Sequence, residues 1–458
     1  MYNKLAHVST LIVGLMFSGA LIGATPVAAQ TISPPPLCGQ PLQPKCDPYN
    51  PFAGPQVQNG TVTSRVTVTG STITVDYATV PPDSIPLPAQ VTASAVSSLS
   101  SAIGNSVSAK VQNQLQLQGT ITQDLFGAVA AYNVVTTTSA VPGVVASVTS
   151  AYGNTAQAEA CCGGIDVDVS QTVSTGSVVA DALVATAPGL GTLSMSSTAS
   201  GNAIGTSVTN GPLVLRGSQT NNVDIFSSSQ GAVCCNNTAI TVASTAVANS
   251  SASASTTSTV YSTTRQLNTG DVLSGASHVT NNGKIITSAT QATGNSVYAT
   301  NQWGYTQVDA QQGNTGTIGA VANLSATNYL TSAVVGATAT GNSILLSSQG
   351  SDGTLIGFQD NAFGADVSTQ VFLDGASTNG GVAQANGTAI ANAITGYACS
   401  GCGTNSVKLE GIFGQSNSAD ASTTIAIGTK SGVGTHGTIF GQGSAVGNSA
   451  TFIAQRVN

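Results

Sequence analysis

Residue types that commonly carry out catalysis or bind metals are sparse in this chain. After Ala29 it has two histidines, His278 and His436, and neither lies near a recurring acid or nucleophile. Among the acidic motifs, Asp166-Val-Asp168 most resembles a metal-binding sequence. It alternates with apolar residues from Ile165 to Val169, which predicts that both acids lie on the solvated face of one strand. We therefore predict no catalytic residue, no metal site, no cofactor and no enzymatic activity.

The cysteines have a more definite pattern. Eight of them form four close pairs, Cys38 with Cys46, Cys161 with Cys162, Cys234 with Cys235, and Cys399 with Cys402. An exported protein could use all four pairs as local disulfides, although two free thiols remain an alternative for the adjacent pairs. Cys399-x-x-Cys402 also has the spacing of a redox or zinc half-site. It lacks the βαβ setting of the first and the two further ligands of the second, so a disulfide is predicted there.

The side chains that do recur are neutral amides. An Asn follows Ala-x-x eight times, at a regular step that lengthens only toward the C-terminal end: Asn105, Asn154, Asn202, Asn249, Asn295, Asn342, Asn392 and Asn448. For the seventh, Asn386 is an alternative. A Gln follows at one fixed distance in five units, as Gln171, Gln219, Gln266, Gln312 and Gln359. In the first unit Gln123 lies one position further on, and in the seventh Gln415 lies several positions further on. In five of these seven the motif is Gln-x-Asn.

These amides favour a structural role. Neutral amides do not serve readily as general acids or bases, whereas equivalent Asn or Gln side chains in a parallel stack can hydrogen-bond to one another along its axis. We therefore predict amide ladders, with a repeated glycan-binding face as the alternative. In the seventh unit, an insertion of about six residues around Cys399 to Cys402 would explain the longer distance from Asn392 to Gln415.

The period predicts a repeat fold of about eight units of roughly 47 residues. Abundant Gly, Ser, Thr and Asn disfavour helix, no proline follows Pro212, and Ile165 to Val173 alternate as in a strand. We predict an all-β, parallel β-helix or β-solenoid. A β-propeller of seven or eight blades is the alternative, but its wedge-shaped blades usually need large aromatic side chains, and Trp303 is the only Trp.

The repeat length also predicts coil geometry. Three strands of five to six residues with short corners need roughly 20 to 25 residues, so one unit should form two turns. About fourteen turns at ~4.8 Å would give a rod of roughly 70 Å. Gly precedes six of the eight asparagines, which predicts tight corners with positive φ.

The N-terminal part has three predicted segments. Residues 1–29 have the pattern of a secretory signal peptide, with an apolar run from Leu11 to Ile22 and cleavage between Ala29 and Gln30. Residues 30–60 are a Pro-rich leader, and residues 61–90 are a β-hairpin turning at Gly70 followed by a Pro-rich linker. The repetitive solenoid is predicted over residues 91–458.

The low charge and the distribution of apolar residues limit the classes of partner that we expect. Only 6% of the chain is charged, and the formal net charge is −7. Ten scattered Lys and Arg cannot form a phosphate-binding stripe, which argues against nucleic acid. No apolar stretch of about 18 residues follows the signal, so no membrane-spanning helix is expected.

The motifs and composition of the repeats resemble those of two families of surface proteins. Gln-x-Asn and Gly-Asn-Ser in an exported, Gly- and Ala-rich chain are similar to curlin repeats. Leu267-Asn-Thr-Gly-Asp271-Val-Leu-Ser-Gly275, followed by Ala292-Thr-Gly-Asn-Ser296, resembles the holdfast attachment protein D family of stalked alphaproteobacteria. That resemblance implies an outer-membrane-associated surface protein that anchors holdfast polysaccharide at the cell pole. Its implied partners are a curlin-like anchor subunit and a curli-type secretion lipoprotein.

Two other functions are alternatives. The first is a curlin-like subunit that self-associates into a surface fibre, or another secreted adhesin. The second is a secreted β-helix enzyme acting on glycans. Such enzymes place clustered Asp, Arg or Lys on one face, and the few charges here recur at no common position in the unit.

Overall fold

The computed structural model describes residues 54–69, 72–76, 95–112, 116–137, 140–233, 238–377, 379–400, 407–428 and 437–456. Residues 48–458 form one compact unit. The described residues form 25 strands in three sheets, and no helix. Each strand pairs in parallel with its counterpart one repeat away, except for one antiparallel pair near the N-terminus. The predicted β-solenoid is confirmed, and the propeller is excluded.

The longest strands form what we call the long sheet. Its eight members are β4 (Val96–Val111), β7 (Val144–Cys161), β10 (Thr192–Thr209), β13 (Ala239–Ser255), β16 (Ile285–Gln302), β19 (Ser332–Gln349), β22 (Val382–Ser400) and β25 (Thr438–Arg456). They lie side by side in chain order.

The second sheet contains the recurring Gln residues, and we call it the glutamine sheet. It consists of β1 (Gln56–Gln58), β5 (Leu117–Leu125), β8 (Ile165–Val173), β11 (Leu213–Asn221), β14 (Val260–Asn268), β17 (Thr306–Asn314), β20 (Gly353–Asn361) and β23 (Leu409–Asn417). In β8 the alternation from Ile165 to Val173 is observed, with Asp166 and Asp168 on the outer face beside Arg216 of β11.

The remaining strands form the third sheet. They are β2 (Val62–Thr69), β3 (Thr72–Asp76), β6 (Val129–Thr137), β9 (Ser177–Thr186), β12 (Asp224–Val233), β15 (Val272–Asn281), β18 (Ile318–Tyr329), β21 (Val367–Ser377) and β24 (Ala421–Gly428). Here β3 pairs antiparallel with β2, while β2 pairs in parallel with β6. Since β1 likewise pairs with β5, the solenoid sheets include strands from before residue 91.

One repeat forms one coil, which corrects the prediction of two turns per unit. Asn154 pairs with Asn202, one whole repeat away, and Gln171 pairs with Gln219. The coil is large because its strands are long: the strand of the long sheet in each complete coil has 16 to 19 residues, and that of the glutamine sheet has nine. Eight strands at ~4.8 Å spacing give a stack of about 35 Å, half the predicted length.

Each coil has two layers: the long-sheet strand forms one, and the strands of the glutamine sheet and the third sheet form the other. The N-terminal half of a long-sheet strand packs against the third sheet, as Val145 and Leu193 do in one core with Val178. The C-terminal half packs against the glutamine sheet, as Ala156 does in a second core with Ile165. The middle of each long strand therefore lies opposite the corner that joins the other two sheets.

The glycines before the recurring asparagines lie at this midpoint. Gly104, Gly153, Gly201, Gly294 and Gly341 are within strands and do not have positive φ, so that prediction is wrong. A Cβ there would lie 2.5 to 2.6 Å from the carbonyl oxygen of the equivalent residue in the next coil. Close approach of the backbones favours glycine at this position, although Ala248 and Ala391 occupy it in two of the coils.

Close backbone contact gives a first testable prediction. A Cβ at Gly211 would lie 1.5 Å from the carbonyl oxygen of Gly163, so Gly211→Ala must displace backbone. We expect it to lower the free energy of unfolding by about 1–3 kcal/mol. Gly275→Ala is the control, because a Cβ there meets nothing within 4 Å. This variant should raise the free energy of unfolding by about 0.5 kcal/mol. Equal effects in urea denaturation would contradict this explanation.

Candidate functional site

The eight recurring asparagines stack into one continuous ladder at the midpoint of the long sheet. Each Nδ2 donates to the Oδ1 of the next Asn toward the C-terminus at 2.8 to 2.9 Å, from Asn105 through Asn448. Asn342 pairs with Asn392, so Asn392 and not Asn386 is the seventh member. From Asn154 to Asn392 the members are fully buried.

The same asparagines also join the two layers. The second Nδ2 hydrogen donates to a backbone carbonyl oxygen of the glutamine sheet, for example from Asn249 to Leu267 at 2.8 Å and from Asn295 to Gly313 at 2.8 Å. Because a carbonyl oxygen can only accept, the atom facing it must be the amide nitrogen. This bond fixes the orientation of the seven amides from Asn105 to Asn392 and hence the direction in which the ladder runs.

The recurring glutamines form a second ladder that runs in the opposite direction. Each Nε2 donates to the Oε1 of the preceding Gln at 2.7 to 2.9 Å, from Gln415 back through Gln359, Gln312, Gln266, Gln219, Gln171 and Gln123. The other hydrogen donates to the carbonyl oxygen of the residue after the long-sheet Asn, as from Gln266 to Ser296 at 2.9 Å. Asn and Gln thus cross-link the layers reciprocally.

The second residue of Gln-x-Asn builds a third ladder. Asn221, Asn268, Asn314, Asn361 and Asn417 are joined by side-chain bonds of 2.7 to 3.0 Å that run toward the C-terminus. Each also donates to a carbonyl oxygen in the corner that follows, such as that of Val223 or Gly270. The motif was visible in the sequence, but these residues were not among the predicted ladder members.

The glutamine ladder starts at Gln56, a residue that the repeat period does not predict. Gln56 Oε1 accepts from Gln123 at 2.8 Å, and Gln56 Nε2 donates to the carbonyl oxygen of Ser106. Gln58 two residues later donates to Gly60, as the third-ladder asparagines do to their corners. Gln56 precedes Gln123 by 67 residues, outside the regular period, and Gln-x-Gln replaces Gln-x-Asn. The only available signal was the spacing of the two glutamines.

The predicted cysteine pairs are only partly visible. Cys161 and Cys162 lie at an exposed turn with their sulfur atoms 2.9 Å apart and no disulfide between them, and this contact raises the pKa of the Cys161 thiol. Cys399 lies near the end of β22, opposite Gln455. Oxidation of these pairs stays a prediction. The other predicted residues lie outside the described ones: Cys38, Cys46, Cys234, Cys235, Cys402, His436 and the cleavage pair Ala29 and Gln30.

An open groove of about 750 Å³ lies on the outer face of the glutamine sheet. It crosses five consecutive coils, from β11 to β23. Phe358 and Leu267 line it with 46% and 41% of their surface exposed, together with the polar side chains of Arg265, Gln311 and Asp360. One positive and one negative charge leave it balanced, so it suits an extended neutral ligand that offers both apolar surface and hydrogen-bonding groups.

Reactive groups are not assembled at this groove. Within the described ranges, no three His, Cys, Asp or Glu side chains cluster as metal ligands would. His278 is buried in the third sheet, where burial lowers its pKa to about 4. In the part of the chain that the structure covers, no helix has the length and apolarity to cross a bilayer. The geometry is that of a laddered β-solenoid with an open groove on one outer face.

Comparison with known proteins identifies the family. No curated protein and no solved structure matches the chain. The family model described as holdfast attachment protein D matches residues 90–364, which is more than half of the sequence and covers the ladder members from Asn105 to Asn361 and most of the groove. The chain therefore belongs to the holdfast attachment protein D family.

Proposed function

We propose that this protein is a non-enzymatic anchor at the cell surface, which fastens adhesive holdfast polysaccharide to the cell pole. Membership of a holdfast attachment family is the observation that carries the proposal. The ladder geometry supports it, because bonds that run both along the axis and between the layers make a stiff scaffold. Export by a signal peptide and residence at the outer membrane belong to the same proposal, on the pattern of residues 1–29.

We place the polysaccharide on the groove of the glutamine sheet. A groove that crosses five coils at ~4.8 Å each is about 20 Å long, which suits a chain-like ligand better than a compact one. Phe358 and Leu267 offer apolar surface against which sugar rings can pack. Arg265, Gln311 and Asp360 offer the donors and acceptors that hydroxyl groups require. Membership of the holdfast attachment family supports a curlin-like anchor subunit and a curli-type secretion lipoprotein as partners in this proposal.

Retention of holdfast by cells tests the proposal. A strain lacking the gene should make the adhesive but release it, which labelled-lectin staining of cells and of spent medium measures. Complementation with Phe358→Ser should restore severalfold less retention than the unaltered gene. The matched control is Ile356→Ser, which changes an outward residue of the same strand that does not line the groove. Unchanged retention in the deletion strain would refute the anchor, and equal retention with both variants would refute the groove.

A further inference from the structure

The C-terminal end of the solenoid is an open face. Strands β23, β24 and β25 are the last members of the three sheets. Their inward side chains are exposed because no described coil lies beyond them: Phe413 is 46% exposed and Ile439 is 54% exposed. By contrast, Ala383, which pairs with Ile439 from the preceding coil, is fully buried. Apolar side chains and three unpaired strand edges together form an adhesive surface.

The amide ladders give this open face a defined hydrogen-bond pattern. Asn448 accepts from Asn392 through Oδ1, and among the described residues its Nδ2 has no acceptor, so the end of the asparagine ladder offers a donor. Gln415 donates to Gln359 and to Ser449, and its Oε1 receives no described donor, so the end of the glutamine ladder offers an acceptor.

The N-terminal coil, formed by β1, β2 and β4, has the complementary pattern. Asn105 donates to Asn154 and Asp124, which leaves its Oδ1 as an acceptor at the end of the ladder. Gln56 accepts from Gln123 and donates one hydrogen to Ser106, which leaves its second Nε2 hydrogen as a donor. The two ends of the chain therefore match each other.

We propose that the open C-terminal coil binds the N-terminal coil of a second copy of this chain, head to tail. Asn448 then donates to Asn105 of the next copy, and Gln56 of that copy donates to Gln415, so both ladders continue without reversal. Strands β25, β23 and β24 take β4, β1 and β2 of the next copy as their neighbours. A tail-to-tail dimer would place the Asn448 donor of one copy against that of the other.

This stacking requires that strand β3 first leave the edge of the third sheet. It pairs with β2 over five positions and so occupies the edge of the third sheet that β24 of another copy would need. Between adjacent coils β24 pairs over eight positions, so exchange of β3 for β24 lengthens the ladder. Val68 of β2, which pairs with Ile73 of β3, is only 3% exposed, so β3 covers this edge. Release of β3 is therefore part of the proposed stacking step.

Sedimentation velocity and negative-stain microscopy of the purified, exported chain test the proposal. We expect stacks whose size rises with protein concentration. Phe413→Lys alters the open face of every copy, so the pure variant should be monomeric at concentrations where the unaltered chain stacks. Ile412→Lys is the matched control, because its side chain is the next one along β23, is 66% exposed and lies on the outer face, and it should leave stacking intact. Melting curves confirm that both variants are folded.

A mixing experiment distinguishes the direction of stacking. Phe413→Lys keeps its N-terminal end, so a small fraction added to the unaltered chain should terminate stacks and shorten them in proportion. A tail-to-tail dimer would exclude the variant and stay unchanged. Ile73→Pro with Thr74→Pro removes consecutive donors in β3 and should increase stacking. A monomer at all concentrations, an unaffected dimer, or equal loss with Ile412→Lys would overturn the proposal, and unchanged stacking with the proline pair would refute the role of β3.

The stacking goes beyond the anchoring role and can be judged separately. It is measured on purified protein without polysaccharide, whereas retention of holdfast is measured on cells with Phe358→Ser. Phe358 lies on the outer face of β20, and Phe413 lies on the open end of the stack. A failure of one proposal therefore leaves the other standing.

Discussion

Asn249→Asp should lower the free energy of unfolding by about 4 kcal/mol, one of the two largest effects we expect. Asn249 is fully buried and donates to Asn295 Oδ1 and to the carbonyl oxygen of Leu267, both at 2.8 Å. An ionised Asp has no hydrogen to donate, so both acceptors lose their partner and a carboxylate is buried against them. Each unsatisfied buried group costs about 1–3 kcal/mol, and the charge adds to this.

Urea denaturation followed by circular dichroism would measure the loss. Asn448→Asp is the matched control, because it makes the same chemical change at the exposed end of the same ladder, where water can solvate the carboxylate. We expect it to cost less than about 1 kcal/mol. Similar losses at both positions would show that the ladder does not contribute to stability through its buried donors.

The second large effect concerns His278 and pH. This residue is 1% exposed, and neither ring nitrogen has a hydrogen-bond partner among the described residues. Its neighbours along the sheet are Gly231 and Leu324, so the ring lies in an apolar column and fills the space above a glycine. Burial disfavours the charged ring and lowers its pKa from 6.5 to about 4.

The direction of the pH effect follows from linkage. Below pH 6.5 the unfolded chain binds a proton at His278, whereas the folded chain does not until about pH 4. Stability is therefore greatest above pH 6.5 and falls as the pH is lowered toward 4, by about 3 kcal/mol from this residue alone.

His278→Leu should remove that part of the pH dependence. Carboxylates that titrate below pH 5 are common to both proteins, so the difference between their stabilities at pH 7 and pH 4.5 isolates the histidine. Leucine is chosen as the replacement because Leu324 occupies the same position in the next coil. Parallel pH profiles of the two proteins would show that His278 is not protonated on unfolding in this range.

Much of the architecture follows from the spacing of the amides. Asn and Gln at a fixed separation require parallel strands in register, because only then can equal side chains lie above one another. That requirement led to the solenoid and to the correct Asn positions without any knowledge of strand boundaries. Gln56 cannot be predicted in this way, because the 67 residues from Gln56 to Gln123 do not match the period of the other units.

The number of turns could not be obtained in the same way. Average strand lengths suggest two turns per repeat, but β7 and its equivalents continue through the midpoint glycine as one strand. In the sequence Ala-x-Gly-Asn-Ser resembles a corner. In the structure a Cβ at Gly153 would lie 2.5 Å from the carbonyl oxygen of Gly201 and 3.3 Å from Leu125, contacts between distant parts of the chain that strand-length rules do not include.

One coil per repeat has a mechanical consequence for a member of a holdfast attachment family. Tension between the two ends of the chain acts on the outermost coil first, because each coil is bonded only to its neighbours. Peeling one coil releases 46 to 56 residues, which extend to roughly 150 Å or more, before the next coil carries the load. The solenoid would then yield in steps and absorb work at each one, as a sacrificial-bond material does, instead of failing at once.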